Sequence, residues 1–194
     1  MRYIISLLST VVLVFIFGFQ PKNSSKIVNE NRVPATAPGK SKTVERDSVI
    51  KTHRTKQASQ FVDYAKTFIG TSYLYGSVNP GRGLDCSGFV NCVSDHFGIK
   101  LPRSSVEFTN IGKTIATNNA KPGDLILFTG TDSRKHAVGH IGIITDNSNG
   151  QLHFIHSSSG KAKGVIISDL SDYYKTRLVK VIRIFPAKAD KILA

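Results

Sequence analysis

The sequence predicts an α+β domain, with helices first and an antiparallel sheet after them. Two observations carry this. Apolar residues recur at helical spacing through Phe61, Ala65, Phe68 and Ile69, and again through Phe89, Val90, Val93 and Phe97. From Leu125 onward they fall instead into short apolar or alternating runs separated by turn residues. Helices followed by strands, rather than strict alternation, mark the α+β class. There is no internal repeat and no Rossmann or P-loop glycine pattern.

Before the domain come two segments of different character. Residues 1–20 read as a signal peptide or an N-terminal membrane anchor. Arg2 supplies a short positive start, and Tyr3 to Phe19 is an apolar run diluted by Ser6, Ser9 and Thr10. Residues 21–57 read as a disordered basic linker, because prolines, small polar residues and cations offer little apolar surface to offset ordering entropy. Residues 58–194 are then one folded domain of sufficient size for a core. This predicts an extracytoplasmic location: periplasm, cell envelope or medium, with residues 3–19 as a possible anchor.

The chain carries 26 basic and 13 acidic residues, a net charge of +13. More than half of that excess lies in residues 1–57, which hold 10 basic and 3 acidic side chains. A basic tail of this kind contacts anionic surfaces. Beyond an export signal those surfaces are envelope lipids and wall polymers. Nucleic acid is not an expected partner, because no basic stripe with interleaved aromatics is present. A monomer is expected.

The elements follow in order. The first helix is closed by Gly70. Tyr73 to Leu84 is a glycine-rich loop, and Cys86 to Phe97 is the second helix, ended by Gly98. Leu101-Pro102-Arg103-Ser104-Ser105 leads into a short helix near 106–111. Lys121-Pro122-Gly123-Asp124 is a turn before the apolar strand Leu125 to Phe128. Two strands, Val138 to Thr145 and Gln151 to Ser157, form a hairpin. Val165 to Ile167 and Leu178 to Ile184 are two more strands, with a helical turn at Ser171 to Tyr174 between them.

Only two cysteines occur, Cys86 and Cys92. Six residues apart on one helix, their Cα atoms lie ~9 Å apart, too far for a disulfide. An exported protein that keeps a free thiol at a helix start suggests a nucleophile. The helix dipole and the unpaired N–H groups of the first turn would favour its thiolate. Cys92 reads as packing. Centring the hairpin on Ser148 pairs Ile144 with Leu152, Gly142 with Phe154 and His140 with His156. The two histidines are then cross-strand neighbours on one face, and His153 is on the other. Gly139 and Gly142 leave room beside His140. A cysteine at a helix start facing a strand histidine is the layout of a nucleophile–base pair, with His140 as base and His156 as orienter.

Tyr73-x-Tyr75-Gly76, Asp85-Cys86-Ser87-Gly88-Phe89-Val90, Leu101-Pro102-Arg103-Ser104-Ser105, Pro122-Gly123-Asp124-Leu125 and Gly139-His140-Ile141-Gly142-Ile143 resemble the successive blocks of the NlpC family. The resemblance covers roughly residues 58–185. It departs from the family at Glu107-Phe108, where a glutamine is usual. It implies a circularly permuted papain-like fold and a peptidase of bacterial cell walls. It also implies that Cys86, His140 and His156 form a catalytic triad. The expected substrate is the peptidoglycan stem peptide, cut between D-γ-glutamyl and a diamino acid. By the same resemblance Tyr73, Asp85 and Ser87 bind substrate, with Asp85 and Ser87 holding a free amino end. Asp85 is equally a helix N-cap. No cofactor and no metal are implied.

Three rival functions remain. One is a papain-like amidase cutting the muramoyl–L-alanine bond. The second is a metal hydrolase using His136, His140, His153 and His156, which lacks a His-Glu-x-x-His helix and has His153 on the wrong face. The third is a catalytically degenerate wall-binding module.

Overall fold

Helix α1 spans Ser41–Lys66, a stretch without glycine or proline. In the computed structural model residues 41–130, 134, 137–148 and 150–185 are described, with side chains from Ser48 onward. The expected export segment and residues 21–40 of the expected linker lie outside them. Residues 41–57 correct the sequence reading: they are helical, not disordered. Their helix has no apolar stripe, so local propensity and continuity with the buried end account for it. Phe61, Val62 and Ala65 are buried at that end. Ile69, expected on the same face, is 52% exposed, because the chain has already left the helix for the turn that ends at Gly70. Among the described residues no helix is long and apolar enough to cross a membrane.

The predicted loop 73–84 contains a two-residue ladder, β1 (Val78–Asn79) with β2 (Gly83–Leu84). Helix α2 (Cys86–His96) follows, then a 3-10 turn at Ser105–Asn110. The six-stranded sheet is formed by β3 (Lys113–Ile115), β4 (Leu125–Thr129), β5 (Val138–Ser148), β6 (Gln151–Ser158), β7 (Gly164–Asp169) and β8 (Leu178–Arg183). Its order is β3-β8-β4-β5-β6-β7, and every neighbouring pair is antiparallel. A short helix α3 (Asp172–Lys175) joins β7 to β8. Strand β3 was not expected. It is a short, mostly exposed edge strand whose existence depends on pairing with β8 rather than on its own pattern.

The sheet sorts its side chains by period-2 alternation. Leu125, Leu127, Ile141, Ile143, Ile155 and Ile182 face Phe61, Phe89, Val90 and Val93 of the helices. Ile126, Phe128, Ile144, Leu152, Phe154 and Val181 form a second layer on the other face, against Leu170 and Tyr174. Each fully buried phenylalanine or leucine contributes about 1.5–3 kcal/mol.

The turn before β4 is held by one buried ion pair. Asp124 is 2% exposed and takes two hydrogen bonds from Arg183, at 2.7 Å from Nε and 2.7 Å from Nη2. Its Oδ2 also accepts from the Lys121 N–H. Asp124→Ala would leave the Arg183 cation without its partner. It should cost about 3 kcal/mol, read as a fall in Tm of roughly 10 °C. A change under 1 °C would contradict this account of the turn.

Candidate active site

The Asp85-Cys86-Ser87-Gly88 stretch builds the start of α2. Asp85 is the N-cap, its Oδ1 accepting from the Gly88 N–H at 2.6 Å. Gly88 is needed for another reason: a Cβ there would stand 2.1 Å from the Ser77 carbonyl oxygen. The loop that carries Tyr73 can therefore lie against the helix, and the Asp85 N–H donates to that same carbonyl. The Ser157 hydroxyl donates to the Leu84 carbonyl at 2.7 Å, tying the segment before Cys86 to the strand that carries His156.

Cys86, His140, His156 and Tyr73 line one cleft of about 710 Å³. The Cys86 sulfur is met by backbone N–H groups of Ser87 and Ile141, the latter adjacent to His140. Both cysteines are free thiols, and Cys92 Sγ donates to the Val78 carbonyl. His140 Nε2 and His156 Nδ1 are 2.8 Å apart. His156 Nε2 then contacts Ser168 Oγ at 3.0 Å and the Tyr174 hydroxyl at 3.4 Å. With Nε2 engaged, Nδ1 is the His140 nitrogen left to receive a proton. That requires protons on Nε2 of both rings, each donated along the chain towards Ser168.

The hairpin register differs from the expected one. Ile144 pairs with Phe154 and Ile143 with Ile155, while nearer the turn Asp146 pairs with His153. A bulge between Ile144 and Asp146 absorbs the odd residue. The displacement is two residues beyond the bulge, so the faces survive. His140 and His156 share a face but meet diagonally instead of directly opposite. Gly142 makes this possible: a Cβ there would lie 2.8 Å from Phe154 Cδ2 and 3.3 Å from His156 Cβ. His153 points away and lies 3.4 Å from Asp169 and 3.9 Å from Asp146. It does not join the other two histidines.

Aromatic rings surround the histidine pair. Phe154 is 4.9 Å from His156 between centroids, Phe128 is 6.0 Å from His140, and Tyr174 is 5.7 Å from His156. Burial therefore holds His156 down to about 4. Burial, then the neighbouring His156 and Arg177, hold His140 down to about 3. The thiol moves the other way. Burial first, and then the Asp85 carboxylate, push Cys86 above its ordinary value, and the N–H groups reduce the shift without reversing it. The expectation that the helix start would favour the thiolate is corrected: desolvation outweighs the dipole. Both shifts favour a neutral thiol and a neutral imidazole at rest.

The three expected substrate residues divide. Tyr73 lines the same cleft as Cys86, and burial, followed by Cys86 and Asp85, raises its hydroxyl. Asp85 and Ser87 are buried. Arg103 donates to Asp85 Oδ1 at 3.1 Å and Oδ2 at 2.6 Å, and to Ser87 Oγ at 2.9 Å. A substrate ammonium at Asp85 would share the carboxylate with Arg103. Sequence reasoning missed this pairing, and it missed Ser168 and Tyr174. The pairing of His156 with Ile166 and Phe154 with Ser168 puts Ser168 on the histidine face, a signal available only once the β6–β7 register is known. Glu107, where the family pattern is broken, closes a capping box with Ser104. A larger cavity of about 930 Å³ between Thr117, Gln151 and Lys175 contains neither a cysteine nor a histidine.

The NlpC/P60 family profile matches residues 70–183. A gamma-DL-glutamyl hydrolase of Bacillus subtilis is 37% identical over 124 residues, covering 63% of this chain and 28% of that protein. The murein DD-endopeptidase MepS/murein LD-carboxypeptidase of Escherichia coli is 34% identical over 128 residues, covering 65% of this chain and 62% of that protein. This chain thus spans less than two thirds of either relative. A crystal structure of an NlpC/P60 family protein from Bacillus cereus superposes with a TM-score of 0.59 at 27% identity, over 66% of this chain and 40% of that one. The fold is the papain-like α+β arrangement of these neighbours.

Two outcomes follow from the neutral pair. In the unfolded chain His156 titrates near its ordinary 6.5, and in the folded protein near 4. Between those values only the unfolded chain binds the proton, so stability falls as pH falls through this window. His156 by itself accounts for about 2 kcal/mol of the loss between pH 7.5 and 5. Urea denaturation at both pH values should show a correspondingly smaller loss in His156→Asn, and equal losses would refute the assignment. Alkylation of Cys86 by iodoacetamide, in a Cys92→Ala background, should accelerate through pH 9. A rate plateau near neutrality would mean a preformed thiolate.

Proposed function

Because the chain belongs to the NlpC/P60 family, we propose that it is an exported cysteine endopeptidase acting on peptidoglycan stem peptides. The bond we assign joins D-γ-glutamyl to the diamino acid that follows it. The observation that carries the reading is the 2.8 Å contact of His140 Nε2 with His156 Nδ1, in the cleft that also holds Cys86. A histidine ordered by a second histidine, in one cleft with a helix-start thiol, is suited to acyl transfer. Export rests on the apolar run of residues 3–19, and the basic segment after it suits an anionic envelope surface.

The steps follow from the neutral resting state. His140 Nδ1 takes the thiol proton as the sulfur attacks the scissile carbonyl, and His156 stabilises the imidazolium that forms. The oxyanion is met by the Cys86 N–H at the start of α2, with the Tyr73 hydroxyl as a second donor. The imidazolium returns its proton to the departing amine, leaving a thioester on Cys86. Water, deprotonated by His140, then releases the carboxylic acid and the thiol. The γ-glutamyl assignment is supported by the name of the Bacillus subtilis relative. The name of the Escherichia coli relative favours a second reading, cleavage of the D,D cross-link between stems.

Digestion of purified peptidoglycan with mass analysis of the fragments separates the two bonds. Cys86→Ala should lower the rate by at least about 10³-fold while leaving the melting curve intact, and His140→Ala should approach it. His156→Asn should retain measurable activity. Cys92→Ala should cost no more than about 1 kcal/mol of stability. An inactive Cys92→Ala beside an active Cys86→Ser would overturn the site.

A further inference from the structure

The described lining of the cleft contains two cations, Arg177 and Lys161, and no aspartate or glutamate. Lys161 is exposed. Arg177 is half-buried and held in place. Its Nη2 donates to the Thr129 carbonyl at 3.0 Å and to the Gly130 carbonyl, and its Nη1 donates to the Tyr173 hydroxyl. The guanidinium also lies 5.0 Å from the Tyr173 ring centroid. These three bonds leave two of the five N–H donors of a guanidinium unused, and Nε is buried without a partner. No carboxylate among the described residues answers this charge. It lies near enough to His140 to help keep that imidazole neutral.

A fixed, partly desolvated arginine with no counter-ion among the described residues, beside the proposed base, is a candidate site for an anion. The three acceptors and the Tyr173 ring face that hold the guanidinium carry no negative charge. Resting on the substrate reading above, we propose that Arg177 binds a free carboxylate of the stem peptide close to the scissile bond, so that stems with that carboxylate amidated are poor substrates. Two sources carry this chemistry. One is the α-carboxylate that a γ-linked D-glutamate leaves free. The other is the side-chain carboxylate of meso-diaminopimelate. Lysine in the diamino position would supply only the first.

The test uses the full chain carrying Cys86→Ala, which holds peptide without cutting it. Calorimetry measures binding of L-alanyl-γ-D-glutamyl-meso-diaminopimelate and of two monoamides, one at each candidate carboxylate. One monoamide should bind at least tenfold more weakly than the parent, and its identity names the carboxylate. Arg177→Gln should reduce that ratio to within about twofold of unity, Arg177→Lys should retain part of it, and Lys161→Ala all of it. Because Arg177 also braces Thr129 and Gly130, each variant is melted first. If Arg177→Gln is unfolded, the Arg177→Lys ratio decides. Equal binding of acid and both amides, absence of binding by all three, or a ratio unchanged in the Arg177 variant that decides would each overturn the proposal. The wall digest with unaltered protein is read separately: a cut at a different bond with the acid preference intact counts against the bond assignment and not against Arg177.

Discussion

Gly142 is the position on which the site depends. The ladder between β5 and β6 puts this residue where Phe154 and His156 need the space. Any side chain there would press on the Phe154 ring and the His156 Cβ. Without one, His140 reaches across the two strands to His156 at 2.8 Å. A second close approach works in the same way at the nucleophile. Gly88 lets the loop before α2 lie on the helix, and this sets the orientation of Cys86 and of Tyr73. The two glycines thus each admit a close approach beside residues that line one cleft.

The electrostatics of the cleft follow from what surrounds it. Phe128, Phe154 and Tyr174 exclude water from the histidines, and both rings are held neutral. Asp85, the charge nearest the thiol, raises it further, although Arg103 is paired with that carboxylate. A neutral thiol beside a neutral imidazole, the state these shifts favour, meets no internal charge-separation cost. Charge appears only when the thiol proton moves, and the His140–His156–Ser168 chain is already oriented to receive it. Arg177 stands at the edge of this neutral centre as its one firmly held cation among the described lining residues.

Most of the fold was legible in the sequence because its signals are local. The helix of Cys86 shows the 3.6-residue period, and the strands show apolar runs between turn residues. Pairing His140 with His156 on one face needed only alternation, which a two-residue displacement preserves. The displacement itself was not legible, since the bulge near Thr145 is decided by how β4 and β7 grip the hairpin from both sides. The helicity of residues 41–57 was missed because this polar stretch carries no periodic apolar signal.

The sequence by itself determined the class of the domain, the position of Cys86 at a helix start, the shared strand face of His140 and His156, and the exclusion of His153 from that face. Each is a matter of residue type and period, and both are written along the chain. Only the tertiary structure decided how burial shifts the groups of the site, because desolvation depends on rings from β4, β6 and α3 that meet in space and not in sequence. The same holds for Arg103 against Asp85 and for Arg177 in the cleft. Their partners lie 18 and 47 or more residues away, and a cation's role is set by whether a carboxylate reaches it.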